Sequence, residues 1–327
     1  MSMLAPFRLK PWFSPRPWGR RSLEPWYSGA QVGTSEPVGE AWLTGPQSII
    51  ETGPLAGQTL AEAASSHAPE VLGTMPAAIA PPPEFPLLVK LLFPADKLSV
   101  QVHPDDAHAQ AMGQPRGKTE CWYVLSAGPG AQIALGFNPA LKPEQLSAES
   151  VRAAIAAGTL EGLLEWVPVA SGDMIFVDAG TVHAIGPGMV LLETQQTCDI
   201  TFRMYDYGRP RELHVENALR VMKTHTAAGK VAARKLGDSS GRHPFTRLIE
   251  QKYFTVDRYD LAPGEQVSVP ANNPGCLVAL SGAATIAGDS EPAIDALPGH
   301  AIVVPVSHRD LTIRADSAAS LTHCWAP

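Results

Sequence analysis

The sequence predicts a mainly β protein built from antiparallel double sheets of the jelly-roll kind, with a few short helices. Many short apolar or alternating stretches have the length of single strands. Glycine (28 residues) and proline (31 residues) are spread along the whole chain of 327 residues, as expected where many turns join many strands. Helical patterns are few, so the strands dominate the prediction.

The predicted strands follow one another through both halves of the chain. Each combines β-branched, aromatic or leucine residues over a short run bounded by turn-forming residues. Their limits are 87–93, 97–103, 120–126, 131–136, 173–178, 189–194, 198–204, 252–259, 276–281, 301–305 and 310–314.

Three segments have helical character. The segment 60–73 is alanine-rich and ends at a glycine, and 142–158 has serine and glutamate near its start and a glycine at its end. The segment 211–225 is amphipathic. We therefore expect a helical insert near 142–165.

The chain is long enough for two domains. The segment 226–242 is poor in apolar residues and is interpreted as a linker. A boundary near 245 separates a catalytic domain at 1–245, which includes N-terminal strands, from a C-terminal barrel at 246–327. A weak repeat of glycine turn, apolar strand and histidine recurs in both domains, which favours two stacked barrels.

Composition excludes several classes of function. The 25 basic and 32 acidic residues give a formal charge of −7, and no basic tract indicates nucleic acid as a partner. The four cysteines form no CxxC pair, which favours reduced thiols in a cytoplasmic protein. The N-terminal residues lack the apolar core of a signal peptide, and no apolar run reaches the roughly 18 residues of a membrane span.

Four polar residues at strand ends have the chemistry of metal ligands. Gln101 and His103 lie on the same face of one predicted strand, Glu120 opens the next, and His183 follows a strand and a turn. Two imidazoles, a carboxylate and an amide oxygen suit Zn²⁺ best, with Fe²⁺, Mn²⁺ or Ni²⁺ as alternatives. One carboxylate leaves a divalent ion with a net charge of about +1, which favours Lewis-acid chemistry over a structural role.

Further polar residues are predicted to lie close to these four candidate ligands. Lys118 lies two positions before Glu120, and we expect a neighbouring cation to lower its pKa. Glu193 and Gln195 share one strand face. Arg203 in an apolar strand requires an anion, either a protein carboxylate or a ligand phosphate or enediolate.

Weaker candidates complete the predicted site. Ser99 and Lys97 share the face of Gln101 and are weaker candidates for binding phosphate. Asp105 and Asp106 are interpreted as turn residues. The remaining histidines are interpreted as ordinary surface or core residues: His67, His108, His214, His225, His243, His300, His308 and His323.

Long motifs give the chain a family resemblance. "FPLLVKLLFPADKLSVQVHPDD", "GKTECWYVL" and "GTVHAIGPGMVLLETQQTCDITFRMYDYGRPRELH" closely resemble type I mannose-6-phosphate isomerases of the cupin superfamily. The strong matches cover about 85–126 and 171–217, with weaker matches in the first 45 residues. "WGRRSL" and "GEAWLTG" depart from the commoner family pattern, without touching the metal-binding set.

The resemblance implies two cupin barrels, of which the second lacks metal, and one zinc ion. Gln101, His103, Glu120 and His183 match the family's ligand positions, although short bacterial members are often described with the two histidines and the glutamate alone. The family's active-site arginine falls on Arg203, and its lysine beside the metal carboxylate falls on Lys118. With Gln101 least secure as a ligand, the other three carry the prediction.

The implied reaction interconverts mannose 6-phosphate and fructose 6-phosphate through an enediol(ate). Arg203 would stabilise the developing negative charge, and Lys118 or Glu193 would move the proton, with Lys118 preferred. Ser99, Lys97 and Gln195 are expected to contact the phosphosugar. Two alternatives remain, another metal-dependent cupin enzyme such as an oxygenase and a non-catalytic sugar-binding cupin.

Overall fold

The computed structural model describes residues 4–73, 83–237, 243–288, 292–307 and 310–327, which leaves His308 outside the described residues. The protein is mainly β, as predicted. The strands of the first part of the chain are β1 (Phe7–Leu9), β2 (Trp12–Arg20), β3 (Val38–Thr44), β4 (Leu87–Leu92), β5 (Val100–Val102), β6 (Glu120–Ala127), β7 (Gln132–Phe137), β8 (Leu164–Pro168), β9 (Met174–Val177), β10 (His183–Ile185), β11 (Met189–Gln196) and β12 (Phe202–Tyr205).

The later strands continue the same pattern of short elements. They are β13 (Gly229–Val231), β14 (Arg234–Leu236), β15 (Phe245–Glu250), β16 (Thr255–Leu261), β17 (Gln266–Pro270), β18 (Gly275–Ser281), β19 (Ala284–Ala287), β20 (Ile294–Ala296), β21 (Ala301–Val304), β22 (Asp310–Ala315) and β23 (Ala319–Trp325). The helices are α1 (Gly29–Val32), α2 (Leu60–Ser66), α3 (Ala68–Val71), α4 (Asp106–Ala111), α5 (Ala148–Ala156) and α6 (Val215–Val221), with 3₁₀ turns at Pro143–Leu146 and Leu160–Leu163.

The strands form four sheets arranged as two pairs. The first unit pairs a seven-stranded sheet, in the order β13-β9-β6-β11-β4-β3-β2, with a five-stranded sheet, β12-β5-β10-β7-β8. The second unit pairs the seven-stranded sheet β1-β21-β18-β23-β16-β15-β14 with the four-stranded sheet β17-β22-β19-β20. Every pairing between these strands is antiparallel, as the turn-rich sequence predicts.

Alternation along the strands fills separate cores. On β6, Trp122 and Val124 face the core inside the first unit, together with Ile133 and Leu191. Cys121 and Tyr123, on the opposite face of β6, belong to a different core. The second unit has its own interior, which includes Leu277, Ile302 and Ile313.

The two seven-stranded sheets pack against each other, and the apolar core between them is the one that contains Cys121 and Tyr123. Leu91 and Cys121 from the first unit share it with Val256, Cys276 and Cys324 from the second. All five side chains are buried. The units are therefore joined by a continuous apolar layer, which favours a fixed arrangement.

The described part of the segment that we interpreted as a linker, 226–237, contains two short strands, and residues 238–242 lie outside the described residues. Gly229–Val231 pairs with β9 of the first unit, and Arg234–Leu236 pairs with β15 of the second. Edge strands offer unpaired backbone groups, so a polar segment gains hydrogen bonds there without contributing apolar side chains. Near the N-terminus, Phe7–Leu9 also pairs with a strand of the second unit, β21. The division of the chain into two domains near residue 245 remains a prediction.

The predicted helices are present but shorter. The segment 60–73 contains α2 and α3, and 211–225 contains α6 alone. In 142–158, the Ser147 side chain accepts a hydrogen bond from the Ser150 amide and caps α5. Helices α5 and α6 cover the outer face of the five-stranded sheet. No helix in the described part of the chain is long and apolar enough to span a lipid bilayer.

Candidate active site

Three predicted ligands come together at one end of the first unit. His103 follows β5, Glu120 opens β6 and His183 opens β10. Their side chains are 1, 0 and 1 % exposed, and one donor atom from each lies within 4.8 Å of the others. The strand register explains the convergence, since His183 pairs directly with Gln101 on β5. Residues distant in the chain thus form one buried cluster.

The histidine tautomers are fixed by backbone carbonyls. His103 Nδ1 lies 2.8 Å from the Ile200 carbonyl oxygen, and His183 Nδ1 lies 2.9 Å from that of Thr181. A carbonyl oxygen only accepts, so each Nδ1 donates and each Nε2 keeps a lone pair. The Nε2 atoms lie 3.6 and 3.4 Å from the Glu120 carboxylate. Burial lowers the pKa of His183 to about 3, so its imidazole is neutral at physiological pH.

The Glu120 carboxylate is the charged centre of the cluster. Neither oxygen accepts a hydrogen bond of normal geometry from the described residues, although Lys118 Nζ lies 3.1 Å from Oε2. Burial opposes ionisation, but the neighbouring Lys118 ammonium holds the pKa of Glu120 well below its usual range. A buried carboxylate with spare lone pairs beside two imidazole lone pairs fits a divalent cation.

Gln101 contacts the cluster through its side-chain nitrogen. Its Nε2 lies 3.2 Å from His183 Nε2, and its Oε1 accepts a hydrogen bond from the Ser99 hydroxyl at 3.2 Å. In this orientation the amide oxygen points away from the ion site. Rotation of the amide would exchange the two atoms. Gln101 as a ligand therefore remains a prediction.

A cavity of about 490 Å³ opens beside the cluster. Of the predicted substrate-contacting and catalytic residues, Ser99, Lys118, Glu193 and Arg203 line this cavity. It is rich in charge, because Arg16, Glu40, Lys90, Asp199 and Arg211 also line it.

Two predicted residues lie elsewhere. The Lys97 ammonium pairs with Glu161, and the Lys97 carbonyl accepts a hydrogen bond from Arg209 Nη2 at 2.6 Å. Strand β5 begins at Val100, so Lys97 precedes the strand that carries Gln101. Gln195 is buried, and its amide donates to the carbonyl oxygens of Gln196 and Cys198. Neither residue lines the cavity.

Lys118 and Glu193 are buried ionisable side chains, and the pKa of each is raised, for different reasons. Burial lowers the pKa of Lys118, but Glu120, Glu193 and Asp199 outweigh it and raise that pKa above its usual value. The lowering that we expected therefore requires the added charge of a cation. Burial raises the pKa of Glu193, whose carboxylate accepts a hydrogen bond from Trp122 Nε1 at 3.1 Å and lies 3.4 Å from Lys90 Nζ.

Among the described residues, Arg203 is the cationic side chain on the cavity wall that forms no ion pair with a carboxylate. Its Nη1 donates to the Glu212 carbonyl at 2.7 Å, and its buried Nε has no hydrogen-bond partner among the described residues. The sequence analysis left two kinds of anion open for Arg203, a protein carboxylate or an anionic ligand. In the described part of the chain, no carboxylate oxygen lies within 4.0 Å of the Arg203 guanidinium, and the nearby Asp206 is paired with Arg211. Burial and the nearby Arg211 and Arg16 lower the pKa of Arg203.

The neighbouring arginines were missed by the sequence analysis. Arg211 makes two hydrogen bonds to Asp206, at 2.6 and 2.7 Å, and Arg16 makes two to Glu40, at 3.0 and 3.2 Å. Arg211 lies in the same family motif as Arg203, the one that ends in "YGRPRELH". Nothing in the sequence marks Arg16, because strand pairing between β2 and β3 brings it to Glu40.

Gly117 is a further residue that the sequence analysis missed, and it leads to a prediction. A Cβ at position 117 would lie 2.4 Å from the Asp105 carbonyl carbon and 2.5 Å from the Pro104 oxygen. We expect Gly117→Ala to displace the backbone that carries Lys118 and Glu120. The free energy of unfolding should fall by about 1–3 kcal/mol, measured by denaturant titration.

Metal content of the purified Gly117→Ala variant should fall as well, measured by elemental analysis. Gly162→Ala is the matched control, because a Cβ there meets nothing within 4 Å. Equal stability and metal content in both variants would contradict the close approach of the two backbone segments.

Comparisons of this chain with family models, with known proteins and with solved structures all find mannose-6-phosphate isomerases. Residues 7–123 match the family model described as phosphomannose isomerase type I, catalytic domain. The chain is 38 % identical over 238 residues to mannose-6-phosphate isomerase of Streptococcus mutans, covering 70 % of this chain and 71 % of the relative. It is 35 % identical over 270 residues to mannose-6-phosphate isomerase ManA of Bacillus subtilis, covering 79 % and 80 %.

Solved structures extend the similarity to nearly the whole chain. The crystal structure of mannose 6-phosphate isomerase from Bacillus subtilis has a TM-score of 0.82 at 28 % identity, with 98 % of this chain and 99 % of that chain covered. A putative mannosephosphate isomerase from Archaeoglobus fulgidus has the same fold, with a TM-score of 0.74 at 19 % identity and coverage of 99 % and 98 %.

Proposed function

Since this chain belongs to the type I phosphomannose isomerase family, whose named relatives are isomerases, we propose that it interconverts mannose 6-phosphate and fructose 6-phosphate with the help of one divalent metal ion. One observation carries this proposal. The buried cluster of His103, Glu120 and His183 lies beside a cavity on whose wall Arg203 has no carboxylate partner among the described residues. A metal-binding set next to an unpaired cation suits an oxygen-rich, anionic substrate.

His103, Glu120 and His183 would hold the ion, and Zn²⁺ fits two imidazoles and a carboxylate best. Gln101 would add an amide oxygen if its side chain rotates. The bound ion would act as a Lewis acid that polarises the substrate oxygens at the two reacting carbons. The single carboxylate would leave a divalent ion with a net charge of about +1 for that role.

The reaction moves one proton between adjacent carbons. Removal of the proton from carbon 2 of the aldose gives an enediol(ate). The proton of the carbon-2 hydroxyl passes to the oxygen on carbon 1, and return of a proton to carbon 1 gives the ketose. Lys118 is the preferred carrier because its ammonium lies 3.1 Å from the Glu120 carboxylate and 3.2 Å from His103 Nε2, beside the proposed ion. Glu193 is the alternative carrier, since it is buried and lines the same cavity.

Arg203 would stabilise the negative charge of the enediolate or bind the phosphate. Its unpartnered Nε supports either role. Ser99 lines the cavity and supports the proposed contact with the sugar, whereas the positions of Lys97 and Gln195 give no such support.

A coupled assay with mannose 6-phosphate tests the proposed function. We expect turnover from metal-loaded protein, loss of turnover with a chelator, and recovery when Zn²⁺ is added back. Turnover that is indifferent to the chelator would contradict metal dependence. A metal-loaded sample without isomerase turnover would contradict the function itself, and oxygen consumption with an organic substrate would favour the oxygenase alternative.

Paired variants test which residue carries the proton. We expect Lys118→Gln to lower kcat by about 100-fold or more while retaining metal, because general acid–base catalysis contributes about 10²–10⁴-fold. The exchange of the carbon-2 proton of mannose 6-phosphate with D₂O, followed by NMR, should slow in parallel. Glu193→Gln serves as the matched variant, and a larger loss there than in Lys118→Gln would assign the proton transfer to Glu193.

We also propose a cytoplasmic location. All four cysteines are free thiols in the structure, and three of them are buried. Free thiols are typical of proteins in a reducing compartment. Fractionation of the native cells, with detection by an antibody, tests the location, and recovery outside the cytoplasm would overturn it.

A further inference from the structure

A second cavity, of about 260 Å³, lies in the second unit. It is separate from the first, because the two cavities share no lining residue. Three aromatic side chains line it, contributed by strands β15, β16 and β23. They are Phe245, Tyr259 and Trp325, of which Phe245 and Tyr259 are stacked with ring centroids 5.5 Å apart.

A buried histidine, one of whose ring nitrogens has no hydrogen-bond partner in the described part of the chain, lines the same cavity. His323 is 4 % exposed, and its Nε2 has no hydrogen-bond partner among the described residues. Burial lowers the pKa of His323 to about 4, so the imidazole is neutral at physiological pH. A buried polar atom that is left unpaired is destabilising, and a bound hydrogen-bonding group would relieve that cost.

The charged groups of this second cavity are already paired. Arg247 makes two hydrogen bonds to Asp257, at 2.8 and 3.1 Å, and a third to Glu250 at 3.0 Å. Asp257 also accepts a hydrogen bond from Trp325 Nε1 at 3.1 Å. His243 Nε2 lies 2.7 Å from Glu265. Unlike the first cavity, with its unpaired Arg203, the second therefore offers no spare cation to a phosphate.

The remaining polar lining residues are neutral. Ser268, Asn272 and Asn273 supply one hydroxyl and two amides, groups that donate and accept hydrogen bonds. Flat aromatic surfaces suit the apolar C–H faces of a ring, and neutral donors and acceptors suit its hydroxyls. The volume lies just below the roughly 300 Å³ at which sites for drug-sized ligands begin, so it matches one small ring.

We propose that the second unit contains a binding site for a neutral, unphosphorylated sugar or cyclic polyol, bound against Phe245, Tyr259 and Trp325 with a hydroxyl hydrogen-bonded to His323 Nε2. This site is additional to the isomerase site. The charged side chains that line the second cavity are already paired with one another or with neighbouring carboxylates. The expected ligand therefore differs from the phosphosugar in lacking an anionic group.

Ligand-observed NMR on the full chain tests the proposal, with D-mannose, D-glucose, myo-inositol and inorganic phosphate as probes. We expect at least one neutral probe to bind, and phosphate not to compete with it. Ser268→Trp should raise the dissociation constant of that probe by about tenfold or more, because an exposed residue on β17 is replaced by a ring that fills the cavity. Isomerase activity of this variant should be unchanged.

The matched control is Gln266→Trp, which adds the same ring two residues earlier on β17, outside the cavity. It should leave the dissociation constant within about twofold of the wild-type value. His323→Phe, which keeps a ring of similar shape but removes the unpaired nitrogen, should also weaken binding. Absence of binding by all neutral probes, binding that survives Ser268→Trp, or competition by phosphate at this site would each overturn the proposal.

Discussion

Replacing His103 or His183 with alanine is expected to abolish both metal binding and isomerase turnover. Each change removes one of three donors, and it also leaves the Glu120 carboxylate buried beside an emptied position. Loss of a residue that merely supports a metal ligand typically costs about 10–100-fold, so loss of a ligand should lower kcat/KM by more than about 100-fold. Elemental analysis and the coupled assay measure the two losses on the same samples.

The control for that result is His323→Ala, which removes an equally enclosed histidine from the second unit. It should retain the metal and the turnover of the wild-type protein. If His103→Ala or His183→Ala kept a full complement of metal with normal turnover, the assignment of the three ligands would be wrong. Circular dichroism and the midpoint of thermal unfolding separate a lost ligand from a failure to fold.

Replacing Arg203 with alanine is expected to leave metal content unchanged and to lower kcat/KM by about 10²–10³-fold, the loss typical of removing one group that stabilises transition-state charge. The guanidinium forms no ion pair in the described part of the chain, so its removal leaves no carboxylate unpaired. Arg203→Lys should restore part of the activity, since it restores the charge without the planar donor set.

Arg152→Ala is the matched control, because Arg152 is an exposed arginine paired with Glu216 on the helical side of the first unit. Its kinetics should equal those of the wild-type protein. A split between the constants is also informative: a rise in KM alone would indicate phosphate binding, and a fall in kcat would indicate stabilisation of the enediolate. Loss of metal in Arg203→Ala would instead show a structural role and contradict the assignment.

The sequence predicted those features that depend on short-range patterns. The strand pattern placed Gln101 on β5, with His103 directly after that strand, and the position of Glu120 at the start of β6 followed from its apolar neighbours. Because ligands at strand ends meet at one end of a sheet pair, the cluster of His103, Glu120 and His183 could be expected before its geometry was known.

Features that depend on long-range contacts could not be predicted. Lys97 belongs to the strand pattern, yet its backbone is held by Arg209, which lies far along the chain. The edge strands Gly229–Val231 and Arg234–Leu236 are polar because they need only backbone pairing, so their composition resembles that of a loop. The lining of the second cavity is likewise assembled from residues whose individual positions carry no motif.

The pairing of Phe7–Leu9 with β21 has a consequence for biosynthesis. Phe7–Leu9 leaves the ribosome long before its partner, at residues 301–303, has been synthesised. This strand therefore has no pairing partner in the sheet of the second unit while the residues between them are being made. During that interval the nascent chain presents an unpaired strand, the kind of surface that chaperones shield from neighbouring chains.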